Sequence, residues 1–258
     1  MRSGLYVPGF TYVVDFKDLL RPVRKLIEGS RDIVAYLEYD QIDDRTAERL
    51  RSLLEKSYAS YWKKKRAFDI VVMAILLIIL IIPFMIIALI IVIDDPGSPF
   101  YKQIRIGRHG KPFYMYKFRT MYVDADKRKH ELAEQNEMDG PVFKMKNDPR
   151  ITRVGKFLRK ISIDEMPQFI NVIKGEMSLV GPRPPLPNEV EQYTNYHKLR
   201  LIVTPGITCT WQIAHNRNDI SFDEWVEMDL KYIETRTTLG DLKIILETPF
   251  AMLKATGR

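Results

Sequence analysis

The sequence predicts a mainly helical α+β protein that carries one membrane helix. Three features indicate this fold class: an uncharged apolar run over residues 70–93, two alternating segments around a glycine-containing turn, and several stretches with apolar residues at helical spacing. The chain of 258 residues is 46% hydrophobic and 28% charged. This is the composition of an ordinary globular protein with room for one or two cores.

The apolar run is long enough to cross a bilayer, since its 24 residues would measure about 36 Å as one helix against a hydrocarbon core of about 30 Å. Four cations at 63–66 precede the run, and Asp94 and Asp95 follow it. Pro83 removes one amide hydrogen bond and is expected to kink the helix into arms of about 20 Å and about 15 Å. The residues therefore predict membrane attachment and leave open whether the helix crosses the bilayer or dips in and returns.

Further elements follow from periodicity. Residues 1–62 are predicted to be a soluble N-terminal extension, with amphipathic helices over 31–39 and 46–62. Residues 101–106 and 113–121 alternate around a turn at 107–110 and predict a small β-hairpin. More helices are expected over 124–138, 193–201, 222–235 and 239–254, the last with a break at Pro249.

Residues 150–160 predict a basic amphipathic helix. Ile151, Val154 and Leu158 share one face, while Arg153 and Lys160 lie on another. Such a helix can lie in the membrane interface with its cations toward the headgroups. Packing as a surface helix on a protein core is an equally good interpretation of the same pattern.

The formal net charge of +7 is concentrated in two segments. Residues 100–119 hold six cations and no acid, and residues 141–163 hold seven cations against Asp148 alone. This density attracts phosphate on lipid headgroups, nucleic acid or a nucleotide, although a solvated basic face is the simpler interpretation of either cluster. The single cysteine, Cys209, excludes an internal disulfide framework and suits a reducing compartment.

Two adjacent carboxylates, Asp164 and Glu165, follow the second cationic segment. As a structural feature, Ser162 with Glu165 three residues later is a helix capping box. As a chemical feature, carboxylates placed where phosphates gather can act as nucleophiles toward phosphorus and can hold Mg²⁺. Arg183 lies in the proline-rich stretch 181–185, where it is either a solvated loop residue or a guanidinium pre-oriented for phosphate.

The stretch from Lys63 to the C-terminus resembles the monotopic phosphoglycosyl transferases, the bacterial sugar transferase family that includes undecaprenyl-phosphate galactose- and glucose-phosphate transferases. The resemblance rests on motifs in a fixed order over about three quarters of the chain. These motifs are KRAFD at 65–69, YKFRTM at 116–121, NDPRIT at 147–152, SIDEMPQ at 162–168, KGEMSLVGPRP at 174–184 and PGIT at 205–208.

The resemblance implies a topology and a reaction. In similar enzymes the apolar helix breaks near a proline, matched here by Pro83, and returns to the cytoplasmic side, so that 63–95 would be a re-entrant membrane helix and 96–258 a cytoplasmic catalytic domain. Asp164 would attack the β-phosphate of a UDP-sugar and release UMP. Polyprenyl phosphate would then take the sugar phosphate from the aspartate, with Glu165 assisting in metal or proton handling.

The resemblance also implies phosphate-binding and metal-binding residues. Arg159 and Arg183 would bind phosphate, with Lys117 and Arg119 as weaker candidates, and Mg²⁺ would lie near Asp164. Members of the family often carry a Gly-Arg turn after the PGIT motif. This chain has instead a segment that is one residue longer and lacks the glycine, with Arg217 as the counterpart of the arginine.

The combined expectation is an α+β, mainly α, monotopic membrane enzyme with a Pro-broken re-entrant helix, interfacial amphipathic helices and a small β-hairpin. It would transfer a sugar 1-phosphate from a UDP-sugar to undecaprenyl phosphate at the cytoplasmic face of the bacterial inner membrane, initiating surface glycan assembly. Expected partners are these two substrates and membrane lipids, with a homodimer left open and no nucleic acid. Three alternatives stand: one-step transfer with Asp164 or Glu165 as base or metal ligand, a non-catalytic anchored protein that binds lipid or nucleic acid, and a simple membrane span.

Overall fold

The structure, a computed structural model, describes residues 42–56, 59–125, 148–214 and 220–254. The helices are α1 (Asp44–Lys56), α2 (Ala59–Asp94), α3 (Arg153–Lys160), α4 (Phe169–Lys174), α5 (Pro187–Val190), α6 (Asn195–Lys198), α7 (Thr210–Ile213), α8 (Phe222–Thr235) and α9 (Thr238–Lys254). The strands are β1 (Phe100–Ile106), β2 (Pro112–Phe118), β3 (Ser178–Val180) and β4 (Gly206–Thr208). Short 3₁₀ segments cover Arg108–Gly110, Ile163–Gln168 and Leu199–Ile202.

The predicted hairpin is confirmed. Strands β1 and β2 pair antiparallel, with Phe100 opposite Phe118 and Ile106 opposite Pro112. A second sheet was not predicted: β3 and β4 pair in parallel, with Ser178 opposite Gly206. Its strands have three residues each, too few for alternation to be recognised.

The apolar run forms the C-terminal part of α2, a single helix of 36 residues that continues through Pro83. A proline removes one hydrogen bond without ending a helix in apolar surroundings, where an unpaired backbone is costly. The described part of the predicted helix over 46–62 is confirmed as helical: residues 46–56 lie in α1, residues 59–62 form the start of α2, and residues 57–58 lie outside the described residues. Good helix formers such as lysine, arginine and alanine extend α2 ahead of the apolar run.

One face of α2 packs on the rest of the protein along both halves of the apolar run. Val72, Met73 and Leu76 join the main hydrophobic core, while Phe84 and Ile91 join a second cluster with Phe118 and Leu158. The other face consists of large apolar side chains open to the surroundings. Among the described residues, α2 is the one helix long and apolar enough to cross a membrane.

A buried polar network holds the N-terminal part of α2. Lys65 Nζ lies 2.9 Å from Asp69 and 2.7 Å from Asp241 of α9. Tyr232 of α8 donates to Asp241 at 2.8 Å, and Ser178 of β3 donates to Asp69 at 2.7 Å. All five side chains are buried, so the network fixes α2 against three other elements.

Arg66 adds an attachment to the segment that follows the two carboxylates. Its guanidinium donates to the carbonyls of Val172 and Ile173, the latter at 2.6 Å, at the end of α4. A cation is favourable there because the last carbonyls of a helix lack partners within it. Helix α4 directly follows the 3₁₀ segment Ile163–Gln168. One short helix therefore connects α2 to the segment that contains the two carboxylates.

The C-terminal end of α2 is also attached. Asp94 accepts a hydrogen bond from the backbone N–H of Val154 in α3 at 3.3 Å. Asp95 pairs with Arg119, which follows β2, and accepts from the backbone N–H of Val123 at 3.1 Å. Both ends of the helix are therefore bound to the same body of the protein.

Helix α1 belongs to the main core, although the sequence placed it in a separate extension. Leu50 and Leu53 are buried in the same cluster as Val226 and Leu230 of α8. Arg49 pairs with Glu234 of α8 at 3.0 Å. Helix α1 therefore packs on α8, in the part of the chain that follows α2.

The remaining predictions had mixed outcomes. The helix over 222–235 is confirmed by α8, and α9 confirms the next helix but continues through Pro249 without the predicted break. The segment 193–201 forms only the short α6 and a 3₁₀ turn. Helix α3 starts at Arg153, because Thr152 caps it by accepting from the N–H of Gly155 at 2.9 Å. The predicted helices over 31–39 and 124–138 lie largely outside the described residues.

Candidate active site

The capping-box interpretation of the two carboxylates is wrong. Ser162 adopts the left-handed conformation, with φ 56° and ψ 21°, and its side chain makes no capping hydrogen bond. The segment after it is a 3₁₀ helix that contains Asp164 and Glu165. Neither acid is used to cap a helix through Ser162, so the simpler structural explanation for the pair is removed. A non-glycine residue held in this conformation is typical of functional sites.

Glu165 is bonded to Lys117 of β2. The Nζ to Oε1 distance is 2.6 Å, and both side chains are largely shielded. Burial disfavours the charged form of Glu165, but Lys117, Gln168 and Arg183 outweigh it and lower the pKa of Glu165 below its ordinary value. Glu165 is therefore an ionised acid at neutral pH with a fixed partner.

Asp164 has the opposite environment. Burial raises the pKa of Asp164 above its ordinary value, and the charge of Glu165 raises it further. Lys117 and Arg159 act in the other direction. Two neighbouring carboxylates whose pKa values are moved apart are typical of sites where the two acids have different tasks.

Arg159 lies in the last turn of α3 and is held by Thr120, which follows β2. Its Nε donates to Thr120 Oγ1 at 2.8 Å, which leaves the terminal nitrogens directed elsewhere. Desolvation by the surrounding protein lowers the pKa of Arg159, and the charge of Asp164 opposes this effect. Arg159 is therefore placed within electrostatic reach of Asp164.

An open cavity of about 630 Å³ connects these groups. Its volume is within the usual range for small-molecule sites. The polar lining residues include Gln103, Lys117, Thr120, Arg159, Asp164 and Glu165. Together with Arg119, three cations and two carboxylates line one space, an arrangement that can receive a phosphate group and place an acid beside it.

Arg119 lines the same cavity, but its two terminal nitrogens are bound to the side chain and carbonyl of Asp95. The structure therefore uses this arginine to attach the end of α2. Its predicted role as a phosphate ligand stays a prediction, because phosphate would have to compete with Asp95.

Arg183 is not among the lining residues of this cavity, but its charge acts on Glu165. The chain around it is fixed by the second sheet, where Gly181 N–H donates to Thr208 O at 3.0 Å and Gly206 N–H donates to the Pro182 carbonyl at 2.9 Å. A Cβ on Gly206 would lie 2.1 Å from the nitrogen of Gly181, so this close approach requires glycine. Arg183 lies 3.8 Å from Glu189 and lowers the pKa of Glu165 through its charge. Arg217, the last predicted phosphate ligand, lies outside the described residues.

Sequence reasoning missed Thr120 and Gln103. Thr120 was quoted within a motif but received no role. The hairpin pattern could have indicated Gln103, because alternate residues of a strand share a face and Gln103 is two residues before the buried Arg105. The missing information was which face of β1 meets the carboxylates.

Comparisons with known proteins identify the family of this chain. The family described as "Bacterial sugar transferase" matches residues 60–255. The chain belongs to this family. The match confirms the resemblance predicted from the motifs.

Three relatives show the extent of the similarity. Galactosyl transferase CpsE of Streptococcus agalactiae serotype III (strain NEM316) is 50% identical over 163 residues, which cover 63% of this chain and 36% of the relative. Exopolysaccharide production protein ExoY of Sinorhizobium fredii (strain NBRC 101917 / NGR234) is 39% identical over 75% of this chain and 87% of its own. UDP-glucose:undecaprenyl-phosphate glucose-1-phosphate transferase of Escherichia coli (strain K12) is 39% identical over 72% of this chain and 39% of its own. The chain thus matches little more than a third of the length of several relatives, including CpsE.

Proposed function

We propose that the protein transfers a sugar 1-phosphate from a UDP-sugar to undecaprenyl phosphate and thereby starts the assembly of a surface polysaccharide. The observation that carries the proposal is the cavity that Asp164 shares with Lys117 and Arg159, whose charges both act on Asp164. The names of the relatives from Salmonella typhimurium and Escherichia coli, which specify undecaprenyl-phosphate sugar-phosphate transfer, support the same reaction.

The first step is a substitution at phosphorus. An oxygen of the ionised Asp164 carboxylate attacks the β-phosphorus of the UDP-sugar, and the bond from that phosphorus to the α–β bridging oxygen breaks. UMP leaves with the bridging oxygen, and the sugar phosphate remains on Asp164 as an acyl phosphate. Lys117 and Arg159 stabilise the charge that develops on the phosphate oxygens.

The second step repeats the substitution with the lipid. A phosphate oxygen of undecaprenyl phosphate attacks the same phosphorus, the bond to the Asp164 oxygen breaks, and the carboxylate is regenerated. Two steps allow the soluble and the lipid substrate to use one site in turn. Glu165 stays ionised beside Lys117 and holds that cation in place.

The two carboxylates of this site could hold Mg²⁺ together with the phosphates of the substrate. Among the residues that the structure describes, no group of three or more His, Cys, Asp or Glu side chains forms a metal cage. Mg²⁺ is often bound by one or two carboxylates together with substrate phosphates, and Asp164 and Glu165 offer such a pair. The ion would be held by Asp164, with Glu165 as a second ligand, and would supply neutralisation of the diphosphate charge.

The attachments of α2 favour a re-entrant helix on the cytoplasmic side over a simple span. Asp69 and Asp94 are 25 positions apart, about 37 Å along a helix, which exceeds the hydrocarbon core of about 30 Å. Yet both bond to the same body of the protein, and the face between them packs on it. A straight helix perpendicular to the bilayer would place these attachments on opposite sides, whereas a helix that enters one leaflet and bends at Pro83 would keep them on one side.

Cysteine labelling tests this topology. The one native thiol, Cys209, is buried, and burial raises its pKa to about 12, so it should give little background. The exposed positions Lys64 and Pro96 are each replaced by cysteine and labelled in vesicles of known orientation with an impermeant reagent. Labelling of both from the cytoplasmic side is expected, and labelling from opposite sides would exclude the re-entrant helix.

Release of UMP tests the reaction. Purified full-length protein is mixed rapidly with Mg²⁺ and radiolabelled UDP-glucose or UDP-galactose. Without lipid, a UMP burst equal to the active protein is expected, with labelled sugar retained on the protein. Undecaprenyl phosphate should then convert the burst into turnover. Asp164→Asn should lower UMP release by at least about 100-fold, while Glu191→Gln, at an exposed acid outside the cavity, should not.

The same experiment separates the alternatives. Turnover with lipid but no burst without it would favour direct one-step transfer. Equal UMP release by the wild-type protein and Asp164→Asn would remove Asp164 from the chemistry. No release with either sugar nucleotide in the presence of lipid would contradict the proposed reaction for these donors.

A further inference from the structure

Gln103 is a polar residue of the cavity that the proposed chemistry does not use. It lies on β1 and lines the same space as Asp164, Glu165 and Lys117. The side chain is half-buried. Among the described residues, the hydrogen bonds to its side chain come from Arg105, two residues along the strand.

The orientation of the Gln103 amide is fixed by this neighbour. Arg105 Nε and Nη2 lie 3.2 Å and 2.8 Å from Gln103 Oε1. A guanidinium can only donate hydrogen bonds, so the amide atom facing it is the oxygen. The NH₂ group of Gln103 consequently points away from Arg105, and among the described residues no acceptor bonds to it.

Arg105 is itself firmly placed. Its side chain is buried, with 6% of its surface exposed, and its third hydrogen bond goes from Nη1 to the carbonyl of Pro184 at 3.0 Å. The described residues put no carboxylate within ion-pair distance of it. Burial and the nearby charge of Arg183 lower the pKa of Arg105 to about 10. A buried cation held by two neutral oxygens contributes little to stability, which favours a role in placing the groups it holds.

Both groups held by Arg105 adjoin the reaction site. One is Gln103, in the cavity wall, and the other is Pro184, next to Arg183. The backbone supports the same connection, since Ile106 N–H donates to the carbonyl of Pro185 at 2.9 Å. Strand β1 therefore links the cavity to the turn that carries Arg183.

We propose that Gln103 is a substrate-binding residue whose amide NH₂ donates a hydrogen bond to an oxygen of the UDP-sugar, and that Arg105 is the residue that positions it. The accepting oxygen belongs to the β-phosphate or to a sugar hydroxyl, both of which offer the same acceptor chemistry. This inference rests on the proposed function, because it takes a UDP-sugar as the ligand of the cavity.

Three variants separate substrate binding from a structural role. Gln103→Glu keeps the shape and the oxygen that Arg105 requires but replaces the donor by a second oxygen. Gln103→Leu removes the donor without adding charge. Ile104→Val changes an exposed neighbour on the opposite face of β1 and is the matched control.

Equilibrium binding of UMP, UDP and a UDP-sugar is measured on the full chain in lipid nanodiscs, with Asp164→Asn present in every variant to prevent turnover. Loss of a hydrogen bond is expected to weaken UDP-sugar binding by about 10-fold in Gln103→Leu and at least as much in Gln103→Glu. Ile104→Val should be unchanged. The thermal unfolding midpoint of Gln103→Glu should not fall, since Arg105 keeps its acceptor.

The three ligands identify the accepting oxygen. Weaker binding of both UDP and UDP-sugar in Gln103→Leu indicates the β-phosphate, and weaker binding of UDP-sugar alone indicates a sugar hydroxyl. If the protein with Gln103 binds UDP-sugar and both Gln103 variants bind it within about twofold as tightly, the inference is overturned while the proposed function stands. If the protein with Gln103 binds no sugar nucleotide, the proposed function fails first.

The positioning role of Arg105 is tested by a double-mutant cycle with Arg105→Lys, which retains the charge and can reach only part of the present hydrogen bonds. If Arg105 orients Gln103, Arg105→Lys weakens UDP-sugar binding more when Gln103 is present than in the Gln103→Leu background. Equal effects in both backgrounds would overturn the positioning role.

Discussion

Replacing Lys117 by methionine tests the electrostatic arrangement of the site. Lys117 Nζ lies 2.6 Å from Glu165, and the two side chains are 21% and 31% exposed. A hydrogen bond to a charged group contributes about 1.5–3 kcal/mol, and partial exposure favours the lower end of this range. If the same ammonium also contacts the substrate phosphate, kcat/KM should fall by about 10- to 100-fold in Lys117→Met.

The pH dependence gives a sharper test than the loss of rate. Lys117 lowers the pKa of both Asp164 and Glu165, so its removal raises the pKa of each. In the proposed reaction, attack on phosphorus requires ionised Asp164. The acidic limb of the kcat/KM profile should therefore move to higher pH in Lys117→Met. Lys117→Arg retains the positive charge and should move the limb much less.

The assay is UMP release in the presence of undecaprenyl phosphate, measured between about pH 5 and 9 for the wild-type protein and both variants. Circular dichroism at each pH checks that loss of rate is not unfolding. An acidic limb that stays in place, or moves to lower pH, in folded Lys117→Met would refute the claim that this cation controls the ionisation of Asp164.

Two further predictions concern the support of the site. Lys65→Met leaves Asp69 and Asp241 buried without their cation and should lower the free energy of unfolding by about 3–5 kcal/mol. The change is measured by thermal or denaturant unfolding in detergent, with the exposed Lys63→Met as the control. A loss of stability as small as that of the control would contradict the buried network. Gly155→Ala places a Cβ 2.0 Å from the carbonyl oxygen of Thr120, so α3 must shift away from the residue that holds Arg159. Gly155→Ala should lower the free energy of unfolding by about 1–3 kcal/mol or more and should reduce UMP release. The exposed control Lys156→Ala should change neither stability nor activity. The same result for Gly155→Ala would contradict the close contact.

Features with a long local pattern could be predicted from the sequence. The hairpin and helix α8 contain enough residues for their periodicity to be recognised, and the apolar helix is recognised by the length of its uncharged run. The two carboxylates and the cations near them could be identified because motif order and charge are visible in the chain. Their shared cavity with Lys117 and Arg159 supports the predicted grouping.

Other features depend on contacts between distant segments, which local patterns do not contain. Strands β3 and β4 are short and lie 28 positions apart, so their pairing is not visible in either strand. The left-handed Ser162 replaces a cap that its sequence context favours. Likewise, the cationic segment around Arg119 suits phosphate binding, and only the structure shows that Arg119 pairs with Asp95.

The contact of Arg66 with the end of α4 has a consequence for the lipid surroundings. It joins the N-terminal part of α2 to α4, the helix that begins directly after the 3₁₀ segment with Asp164 and Glu165. Under the proposed function and topology, the depth of α2 in the leaflet would set the height of Asp164 relative to the acyl chains. Bilayer thickness would then affect the rate, because it would decide how far the polyprenyl phosphate must rise to reach the sugar phosphate on Asp164.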